Sequence, residues 1–335
     1  MYIYLLLCIL FLLIYLYASN KQNVLTALNY LGIERNIDKF NSIKLNNFLN
    51  YESKIIHIWQ GERDDNKLLF MYKPIVSSII KLLEYSNNDI LIDYKINYYN
   101  FNEINPGEIL IWIGCENIPD FNLLKNRSIY TIYYNSEPDI DNFDADEIWT
   151  YSKYLFNNYK KNNDLQIIKF VPIICEENIP IVPYNLKTND IKLIFIGLLS
   201  YRNDKKNILF QNSFIKNNLE EVYNLWNDND FNNYISNKPN IYLNLKKTNT
   251  DALPSVRINK LLSHKCIIIS EHTNDIDEEY YKNIIYFCNI DEIENIYRKL
   301  INKTNIKLQE EADRIYETFY NKFYYKNAVD LIIQK

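Results

Sequence analysis

The chain has 335 residues, a net charge of −5 and five scattered cysteines. That length accommodates two ordinary domains, each with its own core. The acidic balance argues against a nucleic-acid binder, which needs a basic face, and the odd cysteine count argues against a disulfide framework.

The chain is rich in Tyr, Asn, Ile and Lys and holds only 5 Gly. Those residue types have A/T-rich codons, so runs of Asn carry no functional weight. The three histidines are His57, His264 and His272, and no C-x-x-C or H-x-x-x-H spacing occurs. No metal site is therefore expected.

Residues 2–18, YIYLLLCILFLLIYLYA, are apolar or aromatic throughout, and Lys21 is the first basic side chain. As a helix this run spans about 25 Å against a bilayer core of ~30 Å, with flanking tyrosines placed for the interfaces. The rival is a cleaved signal peptide, which wants a basic start and small residues before the cut. Tyr17 stands where a small residue is needed. We expect an uncleaved, single-pass membrane anchor over residues 1–20, with its orientation left open. Asn126-Arg127-Ser128 and Asn302-Lys303-Thr304 have the form of glycosylation sequons, but such triplets arise easily in an Asn-rich chain.

A polar stretch follows to about residue 50. Strand-length apolar runs then recur: KIIHIW (54–59), ILI (90–92), EILIWIG (108–114), IYTIYY (129–134), EIWTY (147–151) and IIKFV (167–171). A second set reads IKLIFIG (191–197), IYLNL (241–245), CIIIS (266–270) and IIYF (284–287). Several are continuously apolar, as in parallel strands covered on both faces. Amphipathic helices lie between them. Leu68, Tyr72, Ile75, Val76, Ile79 and Leu83 share one face, and Ile293, Ile296, Tyr297 and Leu300 share another. Asp291 and Glu294 have the spacing of a capping box before the second.

Strand–helix alternation of this kind means right-handed βαβ units in an open sheet. The expected fold is α/β, with two Rossmann-like domains of parallel strands: residues 21–185 and residues 186–335. Pro172, Pro180 and Pro183 mark the linker, residues 306–335 form closing helices, and no internal repeat is present. Ligands of such sheets bind beyond the carboxyl ends of the strands. Those ends carry Gln60-Gly61-Glu62, Gly114-Cys115-Glu116, Asn135-Ser136-Glu137, Ser152, Gly197, Lys246-Lys247 and Ser270-Glu271.

Three stretches bear a resemblance. YTIYYNSEPDIDNFDADEIWTYSKYLFNNYKK with IIKFVPI resembles the end of the N-terminal domain in a group of GT-B glycosyltransferases. That group includes CgeB-like spore-maturation proteins and glycosyltransferase-like proteins of giant DNA viruses. IKLIFIGLLSYRNDKKNIL is similar to the first strand and basic loop of the group's nucleotide-binding domain, and IYLNLKKTNTDALPSVRINKLLSHKCIIISE to its signature segment. The similarity covers roughly residues 108–287. It implies a GT-B-type pair of domains facing across a cleft. It further implies a metal-independent transferase with a nucleotide-sugar as co-substrate and a lipid, protein or glycan acceptor.

A departing nucleoside diphosphate needs positive charge or a helix N-terminus near its phosphates. Arg202, Lys205 and Lys206 follow Gly197, which ends the first strand of the second domain and permits close backbone approach. Pro254 suits a first helical turn, and Arg257 lies one turn in, where the resemblance also places an arginine. For Lys205 and Lys206 a solvated loop is the alternative. Asn244 and Glu271 match the group's strand-end L-N and S-E pairs at the donor rim; a turn residue and a surface glutamate are their plain readings. The group usually reads R-I-x-E-A-L-x-x-G, where this chain has Lys260 for the glutamate and Lys265 for the glycine. A lysine cannot accept ribose hydrogen bonds.

The first domain is expected to hold the acceptor, with His57, Glu116 and Glu137 as candidate bases at or near strand ends. His57 has apolar neighbours, so a core histidine is its alternative. Glu137, in the N-S-E-P turn, ranks first. The run Glu62-Arg63-Asp64-Asp65 lacks D-x-D spacing and reads as a solvated loop. Against a transferase stands a non-catalytic, membrane-tethered GT-B-like binding or structural protein, which Lys260 and Lys265 favour. A nucleotide-sugar epimerase on the same plan is a third reading.

Overall fold

A computed structural model describes residues 53–61, 67–86, 89–115, 117–136, 144–162, 167–177, 191–225, 227–237, 240–247 and 251–334. All belong to one compact unit, Tyr51–Lys335. The hydrophobic run at residues 2–18 lies outside the described residues, as do Glu116, Glu137 and the run at 62–65. Among the described residues no helix is long and apolar enough to cross a membrane.

The chain alternates strands and helices. The first half contains β1 (Ile55–Gln60), α1 (Lys67–Ser86), β2 (Leu91–Ile96), β3 (Ile109–Ile113), α2 (Phe121–Asn126), β4 (Tyr130–Asn135), β5 (Glu147–Thr150), α3 (Lys153–Asn162) and β6 (Ile167–Phe170). The second half contains β7 (Leu193–Ile196), α4 (Asn203–Gln211), α5 (Ser213–Asn218), β8 (Leu219–Val222), α6 (Asp228–Asn237), β9 (Ile241–Asn244) and α7 (Ser255–Ser263). It continues with β10 (Ile267–Glu271), α8 (Asp275–Tyr280), β11 (Tyr286–Cys288), α9 (Ile293–Ile301), α10 (Asn305–Phe323), α11 (Tyr325–Ala328) and β12 (Ile333–Gln334).

Two sheets result. The first has the order β12-β6-β5-β4-β3-β1-β2 and the second β11-β10-β9-β7-β8. Every pairing is parallel except β12 on β6. This is the two-Rossmann plan that the spacing of apolar runs implied. The most apolar strands are central: all of β3 is buried, as are Ile267, Ile268 and Ile269 of β10. Trp59, Leu110, Trp112 and Tyr133 pack with Phe121 and Leu124 of α2 in a core on one face of the first sheet. Tyr72, Ile75, Val76, Ile79 and Leu83 of α1 are buried, as their spacing on one helical face requires.

The tail does more than close the second half with helices. After α10, β12 crosses back and pairs antiparallel with β6, the last parallel strand of the first sheet. The boundaries 21–185 and 186–335 therefore do not separate the sheets completely, because the final residues join the first one.

In each sheet the first strand lies between the second and the third, so each has a point where the strand order reverses. At the first of these points Gly114 has φ +114°, and an added Cβ would lie 2.5 Å from the Gly61 carbonyl oxygen. Only glycine permits that approach.

Lys265 follows α7 with φ +58°, and its N–H donates to the Leu262 carbonyl, 3.0 Å. A left-handed residue just past a helix is a glycine position, which accounts for the glycine expected there. Lys265→Gly relieves roughly 1 kcal/mol of backbone strain and gives up a partly exposed pair with Asp313. The expected net result is a higher urea midpoint; a lower one would show that the pair outweighs the strain.

Candidate functional site

At the reversal point of the second sheet the carboxyl ends of β7 and β9 lie side by side, where an open α/β sheet leaves a crevice. A cavity of about 330 Å³ opens there. The second half lines it with Gly197, Arg202, Lys246 and Arg257, and the first half with Phe70, Ser136 and Tyr151.

Arg257 is in the first turn of α7, after Pro254. Its Nη1 donates to the Ile196 carbonyl at the end of β7, 3.1 Å, and its Nη2 donates to Asn244 Oδ1 at the end of β9, 2.6 Å. Asn244 Nδ2 in turn donates to Ser270 Oγ, 2.9 Å. The guanidinium is thus threaded between the two strand ends. Gly197, just past β7, has φ +137°, a conformation that favours glycine, and a Cβ there would crowd the Phe195 ring at 3.3 Å while meeting Arg257 Nη1 at an ordinary 3.7 Å. Arg202 stands beside it, with Nε donating to the Leu245 carbonyl, 2.9 Å, and Nη1 to the Leu198 carbonyl, 3.2 Å. Both guanidiniums lie against the Phe195 ring, at 5.1 and 5.8 Å from its centroid.

All of these acceptors are neutral. Among the described residues neither guanidinium forms an ion pair with a carboxylate. Arg257 opens onto the cavity but is otherwise surrounded by protein. Burial, then the charge of Arg202, pulls its pKa down to about 10. Burial also lowers Arg202, opposed by the charge of Glu271. Arginine remains a cation at pH 7, so the cavity wall carries two adjacent cations, neither paired with a carboxylate among the described residues. Such a wall recruits an anion.

The other expected donor-side residues are placed differently. Glu271 is buried below the rim. Its Oε1 accepts from Lys205 Nζ, 2.5 Å, and from the Lys246 backbone N–H, while Lys205 Nζ also donates to the Lys246 carbonyl, 2.8 Å. Glu271 and Lys205 therefore brace the loop after β9; neither is on the cavity wall, because Lys205 turns inward to neutralise the carboxylate. Lys206 does not reach the cavity either. It sits on α4, which replaces the expected basic loop, with Nζ 5.4 Å from the Phe210 ring.

Lys260 is buried in the cavity wall. Its ammonium pairs with Asp228, 2.9 Å, and Glu176, 3.7 Å. It also stands 4.6 Å from the Phe70 ring and 5.1 Å from the Phe231 ring. Lys73 of α1 binds the same Asp228. Lys260 thus joins α1 of the first half to α6 of the second and does not point at the arginines. The buried Asp277 is a second joint, invisible in the sequence. It accepts from Ser152 Oγ, 2.9 Å, the Leu253 N–H, 3.0 Å, and Asn274 Nδ2, 3.0 Å.

His57 is not brought to the cavity. It is buried in mid-strand β1, with Nδ1 on Asp93, 2.8 Å, and Nε2 on Glu108, 2.9 Å. With both ring nitrogens engaged, it has none left for a substrate proton. Burial opposes ionisation of Asp93. Hydrogen bonds from His57 and Trp59, with the charge of Lys95, outweigh this and hold the carboxyl below its ordinary value. Glu108 is depressed in the same way by Asn105 and His57. A depressed folded-state pKa gives stability that is complete above the unfolded value of about 4 and is lost below it. Between pH 6 and pH 3 the wild type should therefore lose more unfolding free energy in urea than Asp93→Asn. Equal losses would remove Asp93 from the account.

No protein-family model matches the chain, and no curated protein matches its sequence. Among solved structures it is similar to TarM, with a TM-score of 0.49 and 9% identity over 68% of this chain and 54% of that one. It is similar to Anabaena HepE in complex with UDP, with a TM-score of 0.47 and 9% identity over 83% and 98%. It is also similar to an α1,3-fucosyltransferase, with a TM-score of 0.47 and 12% identity over 83% and 89%. The chain spans about half the length of TarM. At such identities no residue role passes from these proteins to this one.

Proposed function

We propose that the chain is a glycosyltransferase that moves a sugar from a nucleotide-sugar to an acceptor, with the donor diphosphate seated on Arg202 and Arg257. The observation that carries this reading is the pair of adjacent guanidiniums, unpaired with any carboxylate among the described residues, at the strand-order reversal of the second sheet. When the bond from the anomeric carbon to the diphosphate oxygen breaks, negative charge grows on the leaving phosphate. Fixed cations in a shielded cavity stabilise that charge more than water does. In this proposal the arginines do so without a metal ion. The acceptor, a lipid, protein or glycan, enters from the first half. In an inverting reaction Glu137, next in sequence to the cavity-lining Ser136, takes its proton. The apolar run at residues 2–18 tethers the chain to a membrane, and the GT-B group containing CgeB-like proteins is its proposed kin.

A second reading rests on Lys260. A wall residue committed to Asp228 and Glu176 offers no acceptor for ribose hydroxyls, which favours a non-catalytic binding protein. Incubating the full-length chain with a panel of nucleotide-sugars, and analysing the products, tests these readings. Slow release of free nucleoside diphosphate from one donor supports the transferase. Binding with no product supports the binding protein, and an epimerised sugar still joined to its nucleotide indicates an epimerase.

A further inference from the structure

Lys153 at the start of α3, Tyr280 at the end of α8 and Lys322 near the end of α10 meet away from the cavity; none of them lines it. Lys322 Nζ lies 4.0 Å, and Lys153 Nζ 4.4 Å, from the centroid of the Tyr280 ring. Lys322 Nζ also donates to the Tyr280 carbonyl.

The acidic groups facing the two lysines are Asp277 and Glu279, both on α8. Asp277 is committed to Ser152, Leu253 and Asn274, and Glu279 pairs with Lys282. Among the described residues, neither Lys153 nor Lys322 forms an ion pair. The Tyr280 hydroxyl is buried, and no hydrogen-bond partner for it is present among the described residues. Phe170, Tyr281 and Phe323 wall its ring at 5.4, 5.5 and 5.4 Å. Two ammoniums converging on one ring repel each other, and a buried phenol without an acceptor is unfavourable. One oxyanion relieves both problems, by accepting from the two ammoniums and from the phenol.

We propose that Lys153, Lys322 and the Tyr280 hydroxyl form a second anion site, separate from the arginine pair, that binds a phosphate group. The group comes either from free phosphate or from a phosphomonoester headgroup on a lipid. The energetics agree in sign. Burial, then the charge of Lys153, pulls Lys322 down to about 8. Burial likewise lowers Lys153, against the charge of Asp277. A bound phosphate holds both lysines protonated.

Isothermal titration of the full-length chain with inorganic phosphate, and flotation with phosphatidic acid or phosphatidylcholine vesicles, test the site. Phosphate binding should survive in Arg257→Ala and, in that Arg257→Ala background, weaken at least tenfold when Lys153→Met/Lys322→Met is added. If phosphatidic acid vesicles are bound and phosphatidylcholine vesicles are not, and the double variant loses that binding, the headgroup is the source. Binding of inorganic phosphate alone makes free phosphate the source. Lys322→Arg keeps the charge and guards against misfolding of the double variant. It should bind at pH 7.5 like the wild type and should not share the wild type's weakening, roughly tenfold by pH 9.5, as Lys322 loses its proton. The site is overturned if adding Lys153→Met/Lys322→Met to Arg257→Ala leaves phosphate binding unchanged, if Arg257→Ala abolishes all phosphate binding, if Lys322→Arg weakens with pH as the wild type does, or if neither phosphate nor phosphatidic acid binds at pH 7.5.

Discussion

Arg257→Ala should weaken nucleoside diphosphate binding by roughly 30- to 1,000-fold, the equivalent of about 2–4 kcal/mol for a hydrogen-bonded charge lost from a shielded site. Its guanidinium spans the ends of β7 and β9 through Ile196 and Asn244, and the residue lines the cavity. Without ligand the same change should move stability by less than about 1 kcal/mol. It removes a cation that repels Arg202, and it strips hydrogen bonds from Ile196 and Asn244; the two effects oppose each other. Arg257→Lys should be intermediate, since an ammonium is a point charge that cannot hold both strand ends and a phosphate at once. Lost binding with intact folding distinguishes a ligand-binding arginine from a structural one. Calorimetry with a nucleoside diphosphate, paired with a melting curve, reads both.

Lys169→Met should destabilise the fold by about 3–5 kcal/mol, the usual effect of leaving one partner of a buried ion pair alone. Lys169 on β6 and Glu147 on β5 are fully buried and 2.9 Å apart. Glu147 Oε2 also accepts from Trp149 Nε1, 2.7 Å, and Oε1 accepts from the Tyr130 hydroxyl, 2.8 Å. Burial lowers the Lys169 pKa, with the Glu147 charge opposing it. Methionine fills much the same volume, so the expected loss is electrostatic and not a packing defect. Adding Glu147→Gln should recover at least half of it, and urea unfolding of the two single variants and the double variant measures this coupling. A double variant as unstable as Lys169→Met alone would assign the loss to packing.

Much of the scaffold was legible because parallel strands covered on both faces leave continuous apolar runs. ILIWI became β3, and CIIIS became β10 with its boundary moved by one residue. β8, with sequence LEEV, left no such run. It is an edge strand whose Glu220 and Glu221 are engaged by Tyr234 and by the Leu199 N–H. β12 is two residues long and owes its existence to the β6 edge it meets. The positions of Arg257, Gly197 and Asn244, at strand ends and in a proline-started helix, were legible, since those signals are local. The contacts of Glu271 and Lys206 were not. Whether a charged strand-end residue faces a cavity or braces a loop depends on distant partners, here Lys205 and the Lys246 N–H. Asp277 and the Lys260–Asp228 pair were invisible for the same reason: each joins segments far apart in sequence.

The most direct test of the arginine pair is thermal stabilisation of the full-length wild type, Arg202→Ala and Arg257→Ala by a panel of nucleoside diphosphates and their nucleotide-sugars. At 100 times the dissociation constant a ligand adds about 2.7 kcal/mol, a clear rise in melting temperature. One base should be preferred by the wild type, and at that same ligand concentration each variant should gain less than about 1 kcal/mol from it. A well-folded wild type that no diphosphate stabilises, or variants stabilised as strongly as the wild type, would contradict it.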